Sequence, residues 1–272
     1  MNYQDREKIA LNMRANILKM THQAASGHPG GSLSAVELMI TLFFKEMNIS
    51  KENLSDVQRD KFVLSKGHAS PVLYSVLAAK GFFPESELMT FRNLGARLQG
   101  HPNMRAVPGV DMSTGSLGQG LSVAVGMSLA NKLDKNDFRT YVLCGDGESQ
   151  EGQIWEAAMA AGHYKLDNLC AILDFNGLQI DGSITDVMNP TPFDKKYEAF
   201  GWNVIDLKDP YDYDQIEEAF AKARQCKGKP SIIIAHTTKG KGISFMENKA
   251  SWHGVAPNAE QLKAALEELG VN

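Results

Sequence analysis

Apolar residues at Ile9, Met13, Ile17 and Met20 share one side of a 3.6-residue period and predict an amphipathic helix over residues 3–25. The run SGHPGGSLS that follows is broken by glycines and a proline and reads as a loop. Ser34 with Glu37 three residues on is a capping-box pattern ahead of LMITLFF, so a second helix is expected to start there. KFVLS at 61–65 is a short strand leading into KGHASP, where Ser70 suits an N-cap and Pro71 the first turn of a helix that Gly81 ends. STGSLGQGLSVAVGMSLANKL opens on glycines and continues as a helix of Gly, Ala and Ser, small residues that let another backbone come close.

The stretch from Tyr141 to Gly182 organises the rest. An apolar run at 141–144 meets Gly-Asp-Gly, a helical segment reaches about Tyr164, and a second apolar run at 169–173 ends at Asp174, Phe175 and Asn176. Strands joined by a crossover helix run parallel, so Asp146 and Asn176 both fall just past carboxyl ends, facing one crevice. WNVIDL, DYDQIEEAFAKARQC and PSIIIAH repeat the alternation, and NAEQLKAALEEL closes the chain as a surface helix. The expected fold is α/β: a doubly wound, mainly parallel sheet with helices on both faces, one domain over residues 1–272, without repeat or linker.

Composition narrows the function classes. A formal charge of -4 gives no electrostatic support for a nucleic-acid partner, and 43% hydrophobic residues suffice for a substantial core. Three cysteines without CxxC spacing, Cys144, Cys170 and Cys226, read as buried free thiols rather than a disulfide framework. The charged N-terminus lacks a signal core and no apolar run has membrane-spanning length, so the expected setting is the cytoplasm, with no membrane partner.

Asp146 and Asn176, with a carbonyl from the following turn, offer too few oxygens to fill an octahedron, which suits Mg²⁺ completed by phosphate oxygens and water. Gly145 and Gly147 allow close backbone approach, and the helix after Glu148 would present free N–H groups to a diphosphate. Alone, a Gly-Asp-Gly is more often an Asx turn. His28, His68, His101 and His253 lie in similar Gly/Pro-marked loops, suited to donate to phosphates and sugar hydroxyls, whereas His22, His163 and His236 read as structural. GSLGQG departs from the dinucleotide fingerprint, and the Lys-Gly-Lys-Gly run at 239–242 is either an anion cradle or a flexible loop.

Together, SGHPGG, LSKGHASPVLYSVLA, GHPN, STGSLGQGLSVAVGMSLA, GDGESQEGQIWEAAMAAGHYKLDNL and DFNGLQIDG resemble, in order and spacing, the N-terminal diphosphate-binding half of transketolase. TTKGKG and WHG match more thinly. The resemblance implies thiamine diphosphate as cofactor and a metal, Mg²⁺ with Ca²⁺ or Mn²⁺ as substitutes, ligated by Asp146, Asn176 and the Leu178 carbonyl. It places Gly147, His68 and His253 on the diphosphate, with Gly145 and Glu148 beside them, and the loop Gly115, Ser116, Leu117 on the aminopyrimidine. His28 and His101 would face the sugar, and Glu151 would join a carboxylate network coupling paired sites, which implies self-association of this chain. The implied activity is transfer of a two-carbon ketol unit between sugar phosphates.

The chain departs from that pattern in two places. GSLSAVE follows SGHPG where many full-length members carry an APLG-type run. The pyrimidine-binding and C-terminal domains, with the glutamate that acts on the aminopyrimidine, are absent from this sequence. The expectation is one subunit of a split transketolase, completed by a C-terminal partner in an α₂β₂-like assembly. The rivals are the α subunit of a 2-oxo-acid dehydrogenase E1, a sugar-phosphate synthase with the same cofactor, a non-catalytic cofactor-binding module and a truncated transketolase.

Overall fold

The structure is a computed structural model that describes residues 3–271. Helices α1 (Tyr3–Gln23), α2 (Pro29–Leu33) and α3 (Val36–Thr41) precede strand β1 (Lys61–Leu64), followed by α4 (Ser70–Ala79) and α5 (Gln119–Leu133). The central unit is β2 (Thr140–Gly145), α6 (Gly152–His163) and β3 (Leu169–Phe175). A small antiparallel hairpin, β4 (Leu178–Gln179) and β5 (Gly182–Ser183), then α7 (Ile184–Met188) and α8 (Phe193–Ala199), lead to β6 (Asn203–Leu207), α9 (Tyr213–Gln225), β7 (Ser231–His236) and α10 (Ala259–Leu269).

The main sheet has the order β1-β2-β3-β7-β6 and every neighbouring pair is parallel. Strand residues alternate between two cores. Leu64, Tyr141, Ile172 and Ile233 pack with α1, α3, α4, α9 and α10, while Val63, Val142, Ala171 and Ile232 pack with α5, α6 and α8. The doubly wound expectation is therefore borne out. The chain leaves β1 and β7 toward the first core and β2 and β3 toward the second, so loops diverge around a crevice at the carboxyl ends. Such a divergence is where open α/β sheets bind ligands.

Several local expectations change. The run after Gly27 is not loop throughout: Pro29, with φ pre-set for a first helical position, opens α2. Ser34 and Glu37 form no capping box, and Ala35 is the N-cap of α3. Tertiary partners claim both side chains: Ser34 Oγ donates to Asp174 Oδ2 at 2.6 Å, and Glu37 accepts Arg14 at 2.7 and 2.9 Å. Ser70 lies inside α4 behind the N-cap Ala69, and its hydroxyl donates to the Gly100 carbonyl at 2.9 Å. The small-residue helix α5 does take a close neighbour: a Cβ on Gly120 would lie 2.6 Å from the Ser65 Cα. Gly81, at φ 85, ends α4 as expected. The final helix carries a capping box of Asn258 and Gln261. Cys144 and Cys170 are buried free thiols, whereas Cys226 is half-buried. No helix among the described residues is long and apolar enough to cross a membrane.

Candidate active site

A cavity of about 400 Å³ opens at the carboxyl ends of β1, β2, β3 and β7. It is lined by His28, His68, His101, His253, Gly115, Leu117, Gly145, Asp146, Gly147, Glu148, Glu151, Asn176 and Leu178, residues spread over 225 positions of sequence. Ser116 is exposed on the same loop and does not line it. Lys66, Lys239, Gln150 and Gln179 join the wall.

The floor is built on Asp174, fully buried and paired in register with Gly145 on one side and Ala235 on the other. Its Oδ2 accepts the Lys66 ammonium and the Ser34 hydroxyl, and its Oδ1 accepts the Thr237 hydroxyl. Lys66 also donates to the Gly31 carbonyl at 2.7 Å. Burial pushes the Asp174 carboxyl up, yet Lys66 and the two hydroxyls outweigh it and hold it below the ordinary range. One carboxylate thus ties together the ends of β1, β3 and β7 and the α2 turn.

Asp146 lies above this floor, buried. Its Oδ1 accepts the Gly147 N–H at 2.7 Å and its Oδ2 the Gly177 N–H at 2.5 Å, leaving each oxygen a lone pair. Burial, then the negative charge of Asp174, raises its pKa to about 6. A site that holds a carboxylate at that disadvantage favours a cation. The Asn176 amide oxygen, which accepts the Leu178 N–H at 3.1 Å, and the Leu178 carbonyl complete an oxygen set of the hard kind Mg²⁺ prefers. The Leu178 carbonyl accepts the Lys239 ammonium at 3.1 Å. Burial lowers Lys239 to about 8 against the opposing pull of Asp146 and Asp174. The donor set therefore fits a divalent cation shared with a phosphate ligand, with one carboxylate rather than a cluster of them.

Two expected features differ. The Gly147 N–H points to Asp146 and not outward, because the carboxylate one residue upstream captures it. Helix α6 begins at Gly152, since residues Gly147–Gln150 form a 3-10 turn. Glu148 turns inward there and accepts Ser65 Oγ at 2.5 Å and the Gly118 and Gly145 N–H groups at 2.9 Å each. Its carboxylate organises the two glycine loops. Glu151, the N-cap of α6, is exposed on the open rim.

Three imidazoles pack into one cluster, two pairs tilted and one edge to face. Ring centroids are 5.0 Å apart for His28 and His68, 5.1 Å for His68 and His253, and 5.4 Å for His28 and His253. Burial first, then neighbouring cations, lowers His28 to about 4, His253 to about 3, and His68 well below its ordinary value. All three are neutral at pH 7. His253 Nδ1 is 3.0 Å from the Lys239 ammonium, which can only donate, so the His253 proton sits on Nε2. His28 Nδ1 is buried without a hydrogen-bond partner. His101 is exposed on the far wall, and burial followed by Arg92 lowers its pKa.

The remaining histidines lie elsewhere: His22 Nδ1 is 2.8 Å from the Pro257 carbonyl, His163 packs on Tyr164 at 4.9 Å, and His236 is 2.6 Å from Asp206. Sequence reasoning left Lys239 open, read Ser34 as a helix cap, and passed over Lys66, Thr237 and the floor role of Asp174. Only Asp174 carried a signal, an acid ending an otherwise apolar strand.

A family model described as the thiamine diphosphate binding domain of transketolase matches residues 5–272. An apulose-4-phosphate transketolase subunit from Phocaeicola vulgatus is 44% identical over 256 residues, covering 94% of this chain and 90% of that protein. The 6-deoxy-6-sulfo-D-fructose transketolase subunit SqwG of a Clostridium species is 45% identical over 268 residues, 97% of each. Human transketolase is 44% identical over 258 residues, which are 94% of this chain but 41% of the human one. Among solved structures, transketolase from Campylobacter jejuni superposes with a TM-score of 0.93 at 34% identity, covering 100% of this chain and 44% of that one.

Proposed function

Because the chain belongs to the transketolase family, we propose that it is the diphosphate-binding subunit of a two-chain transketolase, moving a two-carbon ketol unit from a ketose to an aldose. The observation that carries this is the single cavity that joins four loop histidines to the Asp146, Asn176 and Leu178 oxygens. Those three oxygens would hold Mg²⁺, and His68, His253 and Lys239 would hold the diphosphate. Gly115 and Leu117 would meet the aminopyrimidine. When bound, thiamine diphosphate supplies a nucleophilic carbon and an electron sink for cleavage of the ketose C–C bond.

The protein residues bind, orient and move protons. Neutral His28, with its proton on either nitrogen, can donate to a sugar oxygen or accept from it. His253, protonated on Nε2, donates from that atom while Lys239 fixes the ring. His101 closes the sugar end. Glu151 would act across an interface with a second copy, on the exposed rim where it lies.

A companion polypeptide would supply the pyrimidine-binding and C-terminal parts, in an α₂β₂-like assembly. The Phocaeicola and Clostridium relatives support this, since both match along nearly their whole length and both are named as subunits of a transketolase. Sugar phosphates in the cytoplasm are the proposed substrates, with a sulfonated sugar as the alternative suggested by the Clostridium relative's name.

Two measurements test the reading. Calorimetric titration with thiamine diphosphate and Mg²⁺ should show binding to the wild type and none to Asp146→Ala; equal binding would overturn the metal assignment. Ketol transfer should be negligible for the chain alone and emerge on mixing with its companion. Full activity from the purified chain would sink the two-chain reading.

A further inference from the structure

Glu148 is a buried carboxylate to which the fold gives no ion-pair partner. Of the other buried carboxylates among the described residues, Glu37, Asp111 and Asp174 pair with Arg14, Arg59 and Lys66, and Asp60 and Asp146 hold two backbone N–H groups each. Glu148 is 3% exposed and holds three donors from three separate loops. Those donors are what offset the cost of burying it.

Its two oxygens divide the donors by place. Oε1 accepts the Gly118 N–H at 2.9 Å and the Ser65 hydroxyl at 2.5 Å, while Oε2 accepts the Gly145 N–H at 2.9 Å. Gly118 directly follows Leu117 and Gly145 directly precedes Asp146, so each amide lies one residue from a different wall of the crevice. The start of the Leu117 loop is fixed as well: a Cβ on Gly67, next to His68, would lie 2.7 Å from the Gly115 nitrogen. Gly118 itself is left-handed, φ 83, where it caps α5, a conformation glycine holds without strain. One planar carboxylate thus sets the distance between the Leu117 loop and the Asp146 turn.

We propose that Glu148 is a positioning residue that holds these two walls at one separation, so that a ligand touching both is bound as a unit. This rests on the reading of Asp146 as the diphosphate anchor and of Leu117 as the aminopyrimidine contact. A ligand that spans two preset walls has neither to order on binding, whereas a ligand that needs only the Asp146 wall gains little from Glu148.

The test uses the chain reconstituted with its companion and two probes, thiamine diphosphate and inorganic pyrophosphate, each titrated with Mg²⁺ by calorimetry. Glu148→Gln leaves one wall unheld and should weaken thiamine diphosphate about ten- to hundred-fold, but pyrophosphate by less than about three-fold. Ser65→Ala, a milder change that removes one donor, should shift the ratio of the two affinities in the same direction by about three-fold, and it carries the test if Glu148→Gln does not fold. A loss for pyrophosphate as large as that for thiamine diphosphate would reduce Glu148 to a structural prop and overturn the proposal, as would no loss for either probe.

A second measurement needs no thiamine. Mg²⁺ with pyrophosphate, which meets only the Asp146 wall, should slow hydrogen exchange at the Gly118 amide about three-fold or more in wild type and leave it unchanged in Glu148→Gln. No slowing in wild type, or equal slowing in both proteins, would overturn the proposal. Wild type that takes thiamine diphosphate no more tightly than pyrophosphate, yet shows slowing that depends on Glu148, would sink the thiamine reading and leave this coupling standing.

Discussion

Replacing Asp174 with asparagine should destabilise the chain far more than any surface change. Asp174 is 0% exposed and the Lys66 side chain 2%, so neither charge has water to fall back on. In Asp174→Asn the Lys66 ammonium keeps the Gly31 carbonyl and can gain only a neutral amide oxygen at 174, so its charge has no counter-charge. Removing one member of a buried ion pair typically costs about 3–5 kcal/mol, because the survivor stays uncompensated. For a chain of this size that corresponds to a fall in melting temperature of about 6–20 °C. Lys66→Met with Asp174→Asn removes both charges, so the double variant should be about 2 kcal/mol more stable than the sum of the single losses. Urea titrations followed by far-ultraviolet circular dichroism measure all four proteins of the cycle. Single losses below about 1 kcal/mol, or a double loss that is simply their sum within about 0.5 kcal/mol, would refute the ion pair as the floor of the crevice.

Three further outcomes follow from the geometry. The lowered histidines bind protons more readily unfolded than folded, so stability should fall as pH drops below about 6.5 toward their folded pKa values. Asp146, raised to about 6, works in the opposite sense, favouring the folded chain between about pH 4 and 6 by about 3 kcal/mol at most. Urea midpoints between pH 7 and 5 should therefore drop less steeply for wild type than for Asp146→Ala, and less steeply for His68→Gln than for wild type. Within α5, Gly126→Ala meets nothing within 4 Å and should stabilise by about 0.5–1 kcal/mol. Gly120→Ala runs into Ser65 and should destabilise by about 1–3 kcal/mol, the pair being compared by thermal melts. Glu148→Gln replaces one acceptor oxygen with a donor, set either against the Gly145 N–H or against the Ser65 hydroxyl and Gly118 N–H, costing about 1–3 kcal/mol. Hydrogen exchange should then rise at Gly118 and Gly145 ahead of the rest of the sheet.

What could be read from the sequence was whatever repeats locally. The period of α1, the strand-helix-strand order around Asp146 and the closing helix α10 depend on neighbours within a few residues, so the pattern suffices. Parallel pairing then carries Asp146 and Asn176 to one edge without further information. The Ser34 and Glu37 pattern misled because a cap competes with tertiary partners, and here Asp174 and Arg14 win. The floor itself was out of reach: the donors to Asp174 come from 140, 108 and 63 residues away. The hairpin and short helices between Leu178 and Ala199 carry too few residues for any period to develop.

The Asp174 floor also bears on the order of assembly. Lys66, Ser34, Thr237 and, through Lys66, Gly31 are its neighbours, and every one is on this chain. The loops bearing His28, His68 and Lys239 are thus set in place by the chain's own folding, before any second polypeptide docks. A companion polypeptide would meet a finished surface, and its association would be a lock onto a rigid template instead of a shared act of folding.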